Sequence, residues 1–169
     1  LATLSHPDGG IAFFNDASFG VAPAKMSIFD YALRLKIILN EATGSLSYLP
    51  SSGYSRLELG AAVVLVDVAP IGPDYLPGHA HADTLSFEVS LDNSRLIVNS
   101  GTSVYANGEE RHRQRGTRAH STLCLANADS SEVWGGFRVG RRARVSNVSM
   151  KQEPEAVKIA AEHDGYCFL

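Results

Sequence analysis

Cysteine is nearly missing from this chain: Cys124 and Cys167 are the only two among 169 residues. That excludes a disulfide framework and a four-cysteine zinc site. Long apolar runs are missing too. No uninterrupted stretch approaches the roughly 18 residues of a membrane span, and no charged segment leading into an apolar one opens the chain as a secretory signal would. Neither sign of charge dominates. With 15 Lys and Arg against 18 Asp and Glu, the net charge of −3 gives no general reason to bind nucleic acid or an anionic membrane.

What is present suffices for a core. At 44% hydrophobic content, 169 residues form most simply one domain with a fragment of a second attached. Charge is uneven along it: eight of the fifteen basic residues fall between Arg111 and Arg144, opposed there only by Asp129 and Glu132. This reads as a solvated face or as a local surface for an acidic ligand.

Turn residues dominate from Pro7-Asp8-Gly9-Gly10 through Asn15-Asp16 to Pro23, a structured loop. A helix follows, with Ser27 and Asp30 as a capping box and Ile28, Tyr31, Leu35 and Leu39 at helical spacing before Gly44. Beyond it the texture is β. Leu57-Glu58-Leu59, the run Ala61 to Val68, the alternating stretch Leu85 to Leu91 and, after Asp92-Asn93-Ser94, Arg95 to Asn99 read as strands. Further candidates are His120 to Leu125, Glu132 to Val139, Ala143 to Ser149 and Ala156 to Ala161. Short, closely spaced strands predict a mainly β fold, an antiparallel sandwich preceded by a short helical segment.

Three histidines stand in two short runs, Gly78-His79-Ala80-His81-Ala82-Asp83 and Arg118-Ala119-His120. In extended chain residues i and i+2 share a side, so His79 and His81 converge on one volume. With His120, and with Asn99 returned by the hairpin as an oxygen donor, they compose either a metal site or a set of hydrogen-bonded loop histidines. Asp83 is a candidate acceptor orienting one imidazole, and Glu88 reads as an exposed strand residue. Tyr105 is a packing residue or, beside a cation, an acid or base. Arg111, Arg113 and Arg115 share a face if their segment is a strand and suit carboxylate or sulfate. Trp134, before Gly135-Gly136-Phe137, is a core anchor or a sugar-stacking residue.

Gly78-His79-Ala80-His81-Ala82-Asp83, Ile97-Val98-Asn99-Ser100-Gly101-Thr102, Arg115-Gly116-Thr117-Arg118-Ala119-His120-Ser121-Thr122 and Ser131-Glu132-Val133-Trp134-Gly135-Gly136-Phe137, in this order, resemble the C-terminal domain of heparinase II/III-like polysaccharide lyases. Pro7-Asp8-Gly9 and Phe14-Asn15-Asp16 resemble the end of the α/α toroid that precedes it. The resemblance divides the chain into 1–45, a toroid remnant, and 46–169, the sandwich domain. It implies β-elimination on uronic-acid-containing polysaccharides, glycosaminoglycan or alginate, with His79 catalytic at the cleft. Arg113, Arg115 and Tyr105 are then the expected substrate contacts, and His81, Asn99 and His120 the ligands of a structural zinc. Asn99 stands where that family has Asp, which weakens the expected metal. The same reading makes the rest of the toroid a needed partner, places the parent protein in the periplasm or outside the cell, and leaves this fragment inactive alone. The alternative is a noncatalytic sandwich that binds acidic carbohydrate.

Overall fold

A computed structural model describes residues 1–39 and 44–169. The helix expected near the front, α1, spans Lys25–Arg34. It starts earlier than the Ser27 box implied: Ala24 is its N-cap, with no side-chain cap. Leu35 closes it, and the left-handed Lys36 (φ 57°) turns the chain away. Part of the expected extension toward Gly44, residues 40–43, lies outside the described residues.

Five strands form one antiparallel sheet in sequence order: β1 (Leu46–Leu49), β2 (Tyr54–Leu59), β3 (Ala62–Asp67), β4 (Phe87–Leu91) and β5 (Ser94–Ile97). Alternation sorts β3 cleanly between two faces. Val64 and Val66 face the long hairpin of β8 (Val145–Glu153) and β9 (Ala156–His163), joining Leu57, Phe87, Val148, Met150 and Ile159 in one apolar layer. Val63 and Leu65 face the other way, onto Ala12 and Phe14 of the N-terminal segment. Each fully buried aliphatic side chain contributes about 1.5–3 kcal/mol here. The architecture is a mainly β, antiparallel sandwich, as the alternation predicts.

The polar side of β4 departs from expectation. Glu88 is completely buried, not exposed, beneath the N-terminal segment. Its carboxylate accepts the Phe13 and Asn99 backbone N–H groups, both at 2.9 Å, and lies 2.5 Å from His6 Nε2. His6 Nδ1 lies 2.7 Å from the Ser90 hydroxyl. One buried acid therefore ties the N-terminal segment to the chain beyond β5.

Three other strand expectations change. The segment from Arg111 to Arg115 is not a strand but part of the short helix α2, Glu109–Arg115. Acidic residues at its start and basic residues at its end favour the helix through its dipole. Spacing of four then puts Arg111 and Arg115 on its buried side, while Arg113 pairs outside with Glu110. Glu132 to Val139 is broken by Gly135, at φ 55°, into a hairpin of β6 (Val133–Trp134) and β7 (Arg138–Val139). His120 to Leu125 is irregular: the Ser121 N–H donates to Asn99 Oδ1 at 2.9 Å and the Thr122 hydroxyl to the Thr84 carbonyl at 2.8 Å.

Candidate functional site

Asp16 is the centre of the site. It leaves a turn whose preceding residue, Asn15, is left-handed at φ 53°, a conformation asparagine tolerates better than most side chains. Asn15 is held on three sides. Its N–H donates to Asp83 at 3.0 Å, its Oδ1 accepts the His81 N–H at 3.2 Å, and its Nδ2 donates to the Tyr54 hydroxyl at 3.2 Å. Asp83 thus positions the Asn15 turn. The carboxylate that orients an imidazole is Asp16.

Asp16 reaches both histidines of the His-x-His pair, lying 2.7 Å from His79 Nδ1 and 2.7 Å from His81 Nε2. Arg111 meets the same carboxylate with both terminal nitrogens. Burial alone would raise the Asp16 carboxyl, but the hydrogen bonds from His81, Arg111 and His79 outweigh it and hold the group well below the usual carboxylate range. The Arg111 guanidinium is itself fully buried. It also donates to the Thr102 hydroxyl at 2.9 Å and the Gly136 carbonyl at 3.0 Å, and lies 5.3 Å and 5.4 Å from the Tyr105 and Phe137 ring centres.

The two histidines differ in surroundings. His81 is fully buried, whereas the His79 side chain is 71% exposed. Tyr105 and Phe137, stacked on each other with 10° between planes, each stand T-shaped to the His79 ring, with centroids 6.2 Å and 6.1 Å away. Nδ1–H of His79 donates to the Asp16 carboxylate, so in the neutral ring Nε2 carries the free lone pair. This arrangement offers an oriented base beside a partly exposed aromatic wall.

Behind it, His81 Nδ1 stands 3.3 Å from His120 Nε2. Burial, then the adjacent His81, pushes His120 down to about 3, so its ring is neutral near pH 7. Its Nδ1 and the Asn99 Nδ2 are buried without a hydrogen-bond partner among the described residues. Among the described residues no three His, Cys, Asp or Glu side chains gather into a metal cluster.

The structure brings His79, His81, His120 and Tyr105 into this region, with Asn99 bonded to the residue after His120. It does not bring the two arginines expected at the substrate. Arg115 is fully buried and donates to the carbonyls of Ala80, Trp134, Gly135 and Arg138, clamping the histidine loop to the β6–β7 hairpin. Arg113 points to solvent with Glu110. Sequence reasoning missed Asp16 as the shared acceptor and Arg111 as its buried counter-ion. The available signal was an acidic residue in a turn-rich segment, which does not reveal a partner 65 positions away.

An antiparallel sandwich carrying a carboxylate-tied histidine pair at an open face defines the class, and comparison supplies the family. The chain matches the family described as heparinase II/III-like, C-terminal, over residues 41–169, and it belongs to that family. The heparan sulfate lyase HepC of Pedobacter heparinus superposes with a TM-score of 0.71 at 20% identity, over 98% of this chain and 27% of that one. A heparinase III matches at 0.63 with 16% identity, over 97% of this chain and 28% of its own length. FtsZ-localized protein C of Caulobacter vibrioides is 34% identical over 96 residues, 56% of this chain and 16% of that protein. The chain thus spans a small part of each of these relatives. No helix among the described residues is long and apolar enough to cross a membrane.

Proposed function

We propose that this chain is the sandwich part of a polysaccharide lyase that cleaves uronic-acid-containing glycans by β-elimination, with His79 as its catalytic contribution. The observation that carries this is the exposed His79 ring fixed through Nδ1 to a buried, charged Asp16. Nε2 takes the proton from uronate C5, the C–H electron pair forms the C4–C5 double bond, and the C4–O pair leaves with the glycosidic oxygen, which gains a proton. No water is added. Tyr105, beside His79 and half-exposed, lines the substrate side, with Arg111 holding Asp16 from behind.

Residues 1–45 form the end of a preceding helical domain and 46–169 the sandwich. In support, α1 buries none of its residues and presents Met26, Tyr31 and Leu33 outward. The other half of the cleft then lies on that helical domain, and this chain alone has little or no activity.

His81 and His120 suit a zinc ion, with Asn99 as third ligand. Two nitrogens on one tetrahedral zinc at about 2.0–2.1 Å stand about 3.4 Å apart, close to the separation found. Asp16 on the far nitrogen of His81 is the usual outer partner of a metal-bound imidazole. The Asn99 oxygen already accepts the Ser121 N–H and has a second lone pair, but a neutral amide is a weaker ligand than a carboxylate. When bound, the metal supplies a fixed positive charge that pins the histidine loop to the segment after α2.

The test uses the full-length parent protein on heparan, hyaluronan and alginate, following ultraviolet absorbance of the unsaturated product. His79→Ala is expected to lower kcat/KM by about 10²-fold or more; unchanged turnover would reject the assignment. Absence of product from all uronic-acid polymers would favour a noncatalytic carbohydrate-binding domain. Elemental analysis is expected to find zinc in this parent and to lose it on replacing His81 or His120. Equal metal in those variants would place the ion elsewhere.

A further inference from the structure

Asp67, the last residue of β3, is buried, and among the described residues no Lys or Arg bonds its carboxylate. It stands opposite Tyr54 of β2, and its N–H donates to the Ser86 carbonyl at 2.9 Å, one step beyond the Val66–Phe87 pair of β3 and β4. Opposed residues of antiparallel strands project to one face, so the Tyr54, Asp67 and Ser86 side chains share the face that Phe14 covers. Asp83 closes the same space. Its carboxylate accepts the Asn15 N–H at 3.0 Å, Asn15 Nδ2 donates to the Tyr54 hydroxyl at 3.2 Å, and the Asp83 carbonyl accepts the Ser86 N–H at 2.8 Å.

Two acids and a hydroxyl thus meet in the interior without a cation. Burial raises both carboxyls, and the charge of Asp83 adds to the rise at Asp67, so the bare pair costs stability. The oxygens around it are underused. Ser86 Oγ is fully buried on the Asp67 side of the sheet and has no hydrogen-bond partner among the described residues; Thr84 Oγ1, one position after Asp83, is also buried without one. The turn from Asp83 to Ser86 moreover holds Leu85 left-handed at φ 60°, a costly conformation for leucine. A proton shared by the two acids would ease their repulsion but leave the hydroxyl oxygen unused. A cation engages both kinds of oxygen at once.

We infer that the Asp67 and Asp83 carboxylates and Ser86 Oγ hold a calcium ion, with water completing its shell. The donors are all oxygen, which selects a hard ion over zinc. Two carboxylates cancel a double charge, whereas a monovalent ion would leave one negative charge buried. Calcium accepts about six to eight oxygens in irregular geometry, while magnesium demands a near-octahedral shell and gives up water reluctantly, as a buried site requires. Two acids are fewer than a dense cluster of ligands, so the hydroxyl is needed. The ion enters from the surface cavity of about 660 Å³ that Asn15, Tyr54 and Ala69 line. Once bound, it ties Asp83 to β3 and so fixes the Asn15 turn from which Asp16 reaches the histidines. The site shares no residue with the His81–His120 pair and does not rest on the lyase reading.

The test strips the full-length parent protein with chelator and titrates it with calcium chloride by calorimetry, as wild type, Asp67→Asn and Ser86→Ala. Wild type is expected to bind one calcium more than Asp67→Asn, and Ser86→Ala to weaken that site about tenfold. Saturating calcium is expected to raise the wild-type Tm by about 2 °C or more beyond any rise in Asp67→Asn. Equal calcium stoichiometry in wild type and Asp67→Asn overturns the proposal and leaves a shared proton as the account of the pair. Unchanged affinity in Ser86→Ala, or an equal Tm rise with magnesium chloride, overturns it too. Ser86→Ala removes only a hydroxyl, so it decides the matter even if Asp67→Asn fails to fold. His120→Ala is expected to keep this calcium; its loss there would place the ion at the histidines and reject the site.

Discussion

At the scale of single residues, Asp16 carries the largest consequence. It is 7% exposed, its Arg111 counter-ion is fully buried, and two imidazoles take their orientation from it. Asp16→Asn keeps the shape but strands a buried guanidinium and misorients both rings. Denaturant unfolding is expected to show a loss of about 3 kcal/mol, the scale of a broken buried ion pair. A loss below about 1 kcal/mol would mean that Arg111 finds another acceptor. Arg115 is the instructive contrast. It has the same chemistry and lies four positions further along one helix, yet it is wholly engaged by carbonyls, so a guanidinium near a site need not face the ligand.

At the scale of elements, α1 and β3 mark opposite extremes. Leu65 in β3 is fully buried, whereas no residue of α1 is buried. Polar replacements at Met26 and Leu33 are therefore expected to change stability by no more than about 0.5 kcal/mol. Amides of Lys25–Arg34 should exchange with solvent far faster than those of β3. Protection of α1 equal to that of β3 would contradict this. The strands β2 to β5, β8 and β9 were legible because β-branched runs and period-two alternation are local signals. α2 was not: arginines at every second position imitate a strand face, and only the buried partners of Arg111 and Arg115 reveal the four-residue spacing. Glu88 misled for a related reason. Its alternation is correct, but the sheet's second face is covered by sequence more than 70 positions earlier, Phe13 among it. The histidine runs declared a site. The acid and the buried cation that organise it became visible only when the N-terminal turn was placed against the loop.

For the whole molecule, stability against pH is a sum of opposed groups. His120, held at about 3 in the fold, must stay neutral, so its contribution is lost as pH falls from the unfolded value near 6.5 toward 3. The depressed Asp16 adds a loss that begins only below about 3.8. Asp67 acts in reverse. Burial first, and then Asp83, raise its carboxyl well above 3.8, so folding is disfavoured at neutral pH and recovers as pH falls through the raised value. Asp67→Asn retains an acceptor for the Ala69 N–H and is expected to stabilise the chain at pH 7, with the gain shrinking on acidification. Thermal unfolding at neutral and acidic pH measures it. A gain that grows in acid would reverse the assigned direction.

One carboxylate serving two rings makes positions 79 and 81 bad candidates for independent editing. Removing either imidazole hands the survivor an altered acceptor, so paired replacements will show strong epistasis, and a phenotype at the cleft can originate in the interior.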